Sequence, residues 1–202
     1  QEKFSYLVNL LKKEDSEKVI IFCSARNTVE LVAHNLKKHG FKNMMIHGKL
    51  SQNQRLKVIG DFNHGKTDIL IASAVAARGL DIKFVTHVIN YDLSPDPQEY
   101  VHRVGRTARA GEKGKAITLL CDRDYQTFNQ ILDRYSKLDV KEIPKGEFAR
   151  LTFETRMQRP RRSFGQGGRG NRFSGGRGGQ GNQRHSRGRS SNYQRGSDNR
   201  QR

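Results

Sequence analysis

The sequence predicts an α/β domain, a mostly parallel sheet with helices on both faces, followed by a disordered tail. Three observations carry this. Short apolar runs without polar alternation recur along the first part of the chain, as expected of strands buried on both faces. Stretches of helical period lie between them, the alternation that builds parallel sheets. Beyond residue 155 the composition changes abruptly to Arg, Gly, Ser, Gln and Asn.

Taken in order, Phe4, Leu7, Val8 and Leu11 recur at helical spacing. Val19-Ile20-Ile21-Phe22 reads as the first strand. Thr28 to Lys38 returns to helical period, with Val29, Val32, Ala33 and Leu36 on one face and Gly40 as a stop signal. Met44-Met45-Ile46 is a second strand. Ser51-Gln52-Asn53-Gln54 fits a capping box that opens a helix running through Phe62. Ile69-Leu70-Ile71-Ala72 and Val85 to Asn90 are further strands. Gln98 to Arg103 reads as a short helix, Ala116 to Leu120 as the last strand and Asp124 to Tyr135 as the last helix.

The formal charge is +18, from 38 basic and 20 acidic residues, which points to a polyanionic partner. That charge is concentrated. From Arg156 onward thirteen arginines face a single acid, Asp198, a local charge of +12. The large apolar or aromatic side chains after Met157 are Phe164, Phe173 and Tyr193, too few to offset the entropy of ordering. No apolar run approaches the roughly 18 residues that span a bilayer, and the start lacks a signal-peptide pattern. An initiator Met is also missing, which reads as a fragment. Cys23 and Cys121 lie in apolar runs without metal-type spacing, so both are expected to be buried, reduced thiols of an intracellular protein, and no metal site is expected.

In open α/β sheets, ligands bind beyond the carboxyl ends of the strands. Here those ends lead into Ser24-Ala25-Arg26, His47-Gly48-Lys49, Ser73 through Asp81, and Tyr91-Asp92. Singly, each is an ordinary polar loop; together they place Gly and Arg residues on one edge. Gly60 to Thr67 matches the G-x-x-x-x-G-K-[ST] phosphate-loop pattern letter for letter. A true phosphate loop leaves a strand and opens a helix. Here a helix precedes and a strand follows, so the match is assigned to chance.

Arg106 and Arg109 stand three apart beside Gly105, and residues so spaced share a face of a helical turn. Arginine presents a permanently charged planar fork suited to phosphate oxygens; the plainer reading is a solvated basic turn. The whole run His102-Arg103-Val104-Gly105-Arg106-Thr107-Ala108-Arg109-Ala110-Gly111 resembles motif VI of superfamily 2 helicases, in its DEAD-box form. Ala72-Ser73-Ala74-Val75-Ala76-Ala77-Arg78-Gly79-Leu80-Asp81-Ile82 resembles motif V. Val19 to Arg26 resembles motif IV, and His47 to Arg55 resembles the HG loop with its Gln-x-x-Arg. The resemblance covers about residues 1–140. The chain departs from the family pattern at Ala74, where an acid is common, and at Lys49, where another acid is common.

The resemblance implies that residues 1–155 form the C-terminal RecA-like domain of a DEAD-box ATP-dependent RNA helicase, a three-layer sandwich, and that 156–202 form an RNA-binding tail. It implies that Arg106 and Arg109 are catalytic arginine fingers that reach ATP together with Gly79 and Asp81, Asp81 accepting from the ribose. His102, Arg103 and Gly105 would meet an N-terminal RecA-like domain. That domain would hold most of the ATP and Mg2+, since the chain has neither a phosphate loop nor an Asp-Glu-Ala-Asp box. Ser24, Arg26, Gly48, Gln52, Arg55, Ser73 and Arg78 would line RNA, Ser73 and Arg78 meeting either RNA phosphate or the interdomain face, and Arg55 either RNA or an acid of motif V or VI. Further partners would be proteins recruited through the tail, and no membrane. The rival readings are a non-catalytic RNA-binding and annealing module and a DNA-directed superfamily 2 helicase.

Overall fold

A computed structural model describes residues 2–14, 17–108, 114–144 and 146–156. Of the two units into which the chain divides, Gln1–Pro160 and Arg161–Arg202, only the first holds described residues. Residues 157–202 of the expected tail, and Arg109, lie outside the described residues.

Helix α1 (Glu2–Lys13) buries Phe4, Leu7 and Val8. Strand β1 (Val19–Cys23) follows, buried throughout, then α2 (Arg26–Lys38) and β2 (Met44–Ile46). Helix α3 (Gln52–Asn63) opens on the expected capping box: Ser51 N–H donates to Gln54 Oε1 at 2.9 Å and Gln54 N–H to Ser51 Oγ at 3.3 Å. Strand β3 (Ile69–Ser73) runs directly into α4 (Ala74–Ala77), a single turn too short to show a period in the sequence. Strand β4 (His87–Asn90), α5 (Pro97–Val104), β5 (Lys115–Thr118) and α6 (Tyr125–Arg134) complete the order.

The five strands pair in the order β2-β3-β1-β4-β5, and every pairing is parallel. Alternate residues of β1 go to opposite layers. Val19, Ile21 and Cys23 pack with α1 and α2; Ile20 and Phe22 pack with α3 and α4. Burial of one such side chain is worth about 1.5–3 kcal/mol, so the two apolar layers outweigh the weak preferences of short elements such as α4. Strand β4 starts two residues later than expected. Phe84 adopts φ 57, which breaks the extended backbone; the Val85 carbonyl lies 2.7 Å from the Thr107 hydroxyl and the Thr86 carbonyl 3.1 Å from it, Thr86 O also accepting from Lys115 N–H at 2.9 Å.

Residues 146–156 contain no regular element, yet they lie as a strap across α1 and α2. Phe153 packs against Phe4 with ring centroids 4.9 Å apart and tilted by 46°, and Phe148 meets Tyr6 edge-on. The buried amide of Asn35 donates to Glu154 O at 3.0 Å and accepts from Glu154 N at 2.8 Å. Glu154 also bonds His34 at 2.9 Å and pairs with Lys38. No described helix is long and apolar enough to cross a membrane.

Candidate functional site

After β1 the chain leaves toward β2; after β4 it leaves toward β5, on the other side. The neighbours β1 and β4 thus form a topological switch, the place where open α/β sheets hold ligands. The two loops are tied there. Ser24 donates to the Asp92 carboxylate through its N–H at 3.1 Å and its hydroxyl at 3.3 Å. Phe22 O accepts from Tyr91 N at 2.9 Å. Beneath them, burial first and then the charge of Asp92 push the Cys23 thiol pKa up, so this cysteine is a packing group. Cys23 and Cys121 are both free, Cys23 buried and Cys121 half-buried, its thiol donating to Asp124 Oδ2.

Arg26 opens α2 and pairs with Glu30 at 3.0 Å; Glu30 lies 3.6 Å from His47 Nε2. One carboxylate thereby joins the loop after β1 to the loop after β2. Gly48 and Gln52 are exposed beside it. The Arg55 guanidinium is occupied within the domain, donating to Leu50 O at 3.1 Å and Gly48 O at 3.2 Å. Those carbonyls lie under the first turn of α3, so Arg55 shapes the turn and meets no acid of the 73–81 or 102–108 loops.

Ser73 ends β3 and is buried, without a side-chain cap bond. Arg78 is exposed, and Gly79 turns the chain at φ +75, a conformation that a side chain would strain. Asp81 presents an open carboxylate, 73% exposed, 3.3 Å from Lys83. Its backbone is clamped by Asn63, which donates to Asp81 O at 3.0 Å and accepts from Lys83 N at 3.1 Å. Asn63 belongs to the phosphate-loop look-alike, which is here a helix end, with Thr67 donating to Lys42 O at 2.9 Å.

Helix α5 starts on an Asp96 cap with Pro97 behind it. His102 is exposed near its end, and Gly105 follows as the C-cap. Arg103 departs from the expected interdomain contact. Its side chain is 3% exposed, paired with Glu99 one turn earlier, donating to Asp92 O at 2.7 Å and lying 5.6 Å over the Phe22 ring. It is a bolt between α5 and the switch loops, because the spacing of four turns it inward while His102 stays outside. Arg106 is half-buried and donates to Leu80 O at 3.3 Å. With Val75, Arg78, Asp96 and His102 it lines an open groove between α4 and α5. Asn63, Glu30 and Asp92 organise these loops without any motif to announce them; only the i,i+4 pairs Arg26–Glu30 and Glu99–Arg103 leave a signal in the sequence. Among the described residues no cluster of His, Cys, Asp and Glu is built to hold a metal ion.

Residues 2–111 match the family described as the helicase conserved C-terminal domain. The ATP-dependent RNA helicase CshA of Listeria monocytogenes is 46% identical over 124 residues, covering 61% of this chain and 24% of that protein. A DEAD box protein from Methanococcus jannaschii superposes with a TM-score of 0.65 at 43% identity, over 71% of this chain and 39% of that one. Saccharomyces cerevisiae Dbp5, solved bound to RNA and ADP BeF3, superposes with a TM-score of 0.66 at 33% identity, over 71% of this chain and 38% of that one. The chain spans about a quarter of the length of the curated relatives it matches.

Proposed function

The chain belongs to the helicase conserved C-terminal domain family, in its DEAD-box branch, and from that premise we propose that it works as the C-terminal half of an intracellular ATP-dependent RNA helicase. The single observation that carries the reading is the placement of Arg106, anchored through Leu80 O on the same groove as Arg78 and His102. A guanidinium set there neutralises charge that develops on a phosphoryl group presented from a second domain. Residues 1–155 are the helicase domain and 156–202 an RNA-binding tail that also offers a surface to protein partners.

ATP with Mg2+, when bound mainly by the N-terminal RecA-like domain, supplies the phosphoryl transfer that drives the cycle. The residues present fit the part left to this half. Asp81 is exposed on a clamped backbone, Gly79 keeps the loop turned toward it, and Arg106 with Arg109 contributes cations. His102 and Gly105 meet the partner domain. Ser24, Arg26, Gly48, Gln52, Ser73 and Arg78 form half of an RNA track on the carboxyl edge, Arg55 acting through the Gly48 turn. Contacts of this kind go to the RNA backbone, so sequence preference is weak. RNA and nucleotide each favour the closed pair of domains and so favour one another, and closure distorts one strand of a short duplex. The pairing of RNA with ADP BeF3 in Dbp5 supports this coupling.

Arginine fingers contribute about 10³–10⁵ in rate. In the full-length protein, Arg106→Lys therefore lowers RNA-stimulated ATP turnover by about 10³ or more and spares most RNA affinity; near-normal turnover refutes the finger role. The +12 tail favours a second reading, a non-catalytic RNA-binding module, and an Arg106-independent annealing activity with no ATPase in the full-length protein would establish that reading instead.

A further inference from the structure

The sheet has a second edge, and it too is cationic. Because all five strands are parallel, the segments that enter them gather at the amino edge, opposite the loops that leave β1, β2 and β4; the crossover after β3 returns to this edge and brings Asp81 beside Lys83. A lysine stands at each entrance: Lys18 before β1, Lys42 before β2, Lys66 before β3, Lys83 before β4 and Lys115 as the first residue of β5. Lys42, Lys66, Lys83 and Lys115 are exposed. Three acids answer them in part, Asp61 at 2.7 Å from Lys66, Glu14 at 2.6 Å from Lys115 and Asp81 at 3.3 Å from Lys83. Lysines at helix ends are ordinary partners of the helix dipole; Lys18 and Lys83 follow no helix end directly.

Among these lysines stands Phe84, 70% exposed and absent from the hydrophobic clusters. Its φ of 57 is unusual for a bulky side chain. The surroundings hold it there: Asn63 clamps Asp81 and Lys83 on one side, and the Thr107 hydroxyl takes Val85 O at 2.7 Å on the other. Lys18 Nζ lies 5.6 Å from the Phe84 ring and donates to Asn63 O at 2.9 Å. A strained, clamped backbone that presents an aromatic ring to solvent beside cations has the chemistry of a stacking platform for single-stranded nucleic acid, in which bases stack on rings and phosphates meet lysines.

We propose that the amino edge of the sheet is a second contact for single-stranded RNA, with a base on Phe84 and phosphates on Lys83 and Lys66. It extends the proposed RNA track and rests only on the nucleic-acid part of that reading. The chain contains no tryptophan, so Phe84→Trp places a sole indole on the platform. The chain is titrated with a short oligouridylate while the anisotropy of labelled oligonucleotide reports binding. The expected result is a saturable emission change that persists when Arg26→Ala and Arg78→Ala remove contacts on the carboxyl edge, and that weakens with Lys83→Gln. In that same double-variant background, Phe84→Ala should lower oligonucleotide affinity by about fivefold or more, a measurement that decides the matter should the tryptophan variant fail to fold. Bound RNA with unchanged emission and unchanged Phe84→Ala affinity overturns the proposal, as does a signal lost with Arg26 and Arg78. A response to the N-terminal helicase domain alone, with none to RNA, makes the patch a protein contact and also overturns it. The Arg106 test reads turnover, so the two ideas fail separately.

Discussion

Gly114 decides how closely the loop bearing Arg106 approaches β5. A Cβ at this position would run into the Thr107 hydroxyl and come within 2.6 Å of Ala108 N. Thr107 cannot retreat without giving up its bonds to Val85 O and Thr86 O, and Ala108 already sits at φ 53. Gly114→Ala should therefore cost about 1–3 kcal/mol of stability, the range for overpacking, read as a lower urea midpoint by circular dichroism. In the full-length protein the same change should lower turnover with Arg106 intact, because the loop must shift as a unit; an unchanged midpoint and turnover would show that the approach is not required. Little of this was legible beforehand. Standing beside His102 and Arg106 in one run, Arg103 is expected at the interdomain face. Its i−4 partner Glu99 was visible, but the Phe22 ring beneath it comes from a strand eighty residues earlier, which no local spacing reports.

The strap shows which elements a sequence announces. Helices α1, α2 and α3 carry apolar faces or a capping box, and β1 and β2 are unbroken apolar runs, so local pattern and burial agree there. The strap has no period, because its backbone bonds go to side chains of α1 and of the end of α2, as where Leu151 N–H donates to Ser5 Oγ at 2.9 Å and the ring of His39, which caps α2, lies 3.0 Å from Thr152 O. Such contacts depend on the helices already being placed. Its Glu154 carboxyl is held below the usual glutamate range by Lys38 first and His34 second. A carboxylate with a lowered folded-state pKa adds stability above its unfolded value and loses it as pH falls through the folded one. Glu154→Gln should thus be less stable than the parent at pH 7, and the gap should close below about pH 4.3, the ordinary glutamate value. The pair is exposed, so the effect is small and shrinks in salt. Thermal unfolding by circular dichroism across pH checks it; a gap that stays constant with pH would mean that the glutamate does not titrate in this contact.

At the scale of the whole chain, the cations fall into two populations. Those of the domain are placed by strands and helices and are partly answered by acids, whereas the thirteen arginines from Arg156 onward face only Asp198. In the proposed role as an RNA tether, a run of that charge would act through counterion release: each phosphate neutralised on a single strand contributes about −0.7 to the slope of log affinity against log salt. Even four arginine contacts then change the slope by about 3, far more than the loss of one placed side chain. In that proposed role Phe164, Phe173 and Tyr193 would add stacking that salt does not screen. Deleting residues 158–202 should accordingly weaken single-stranded RNA binding most at low salt and flatten the salt dependence, while the Phe84→Trp emission response keeps its amplitude because its ring belongs to the domain. Fluorescence anisotropy with one labelled oligonucleotide across a salt series separates the outcomes. If affinity and slope are both unchanged, the arginines are not an RNA tether, and the tail serves as a solubilising linker or a protein contact instead.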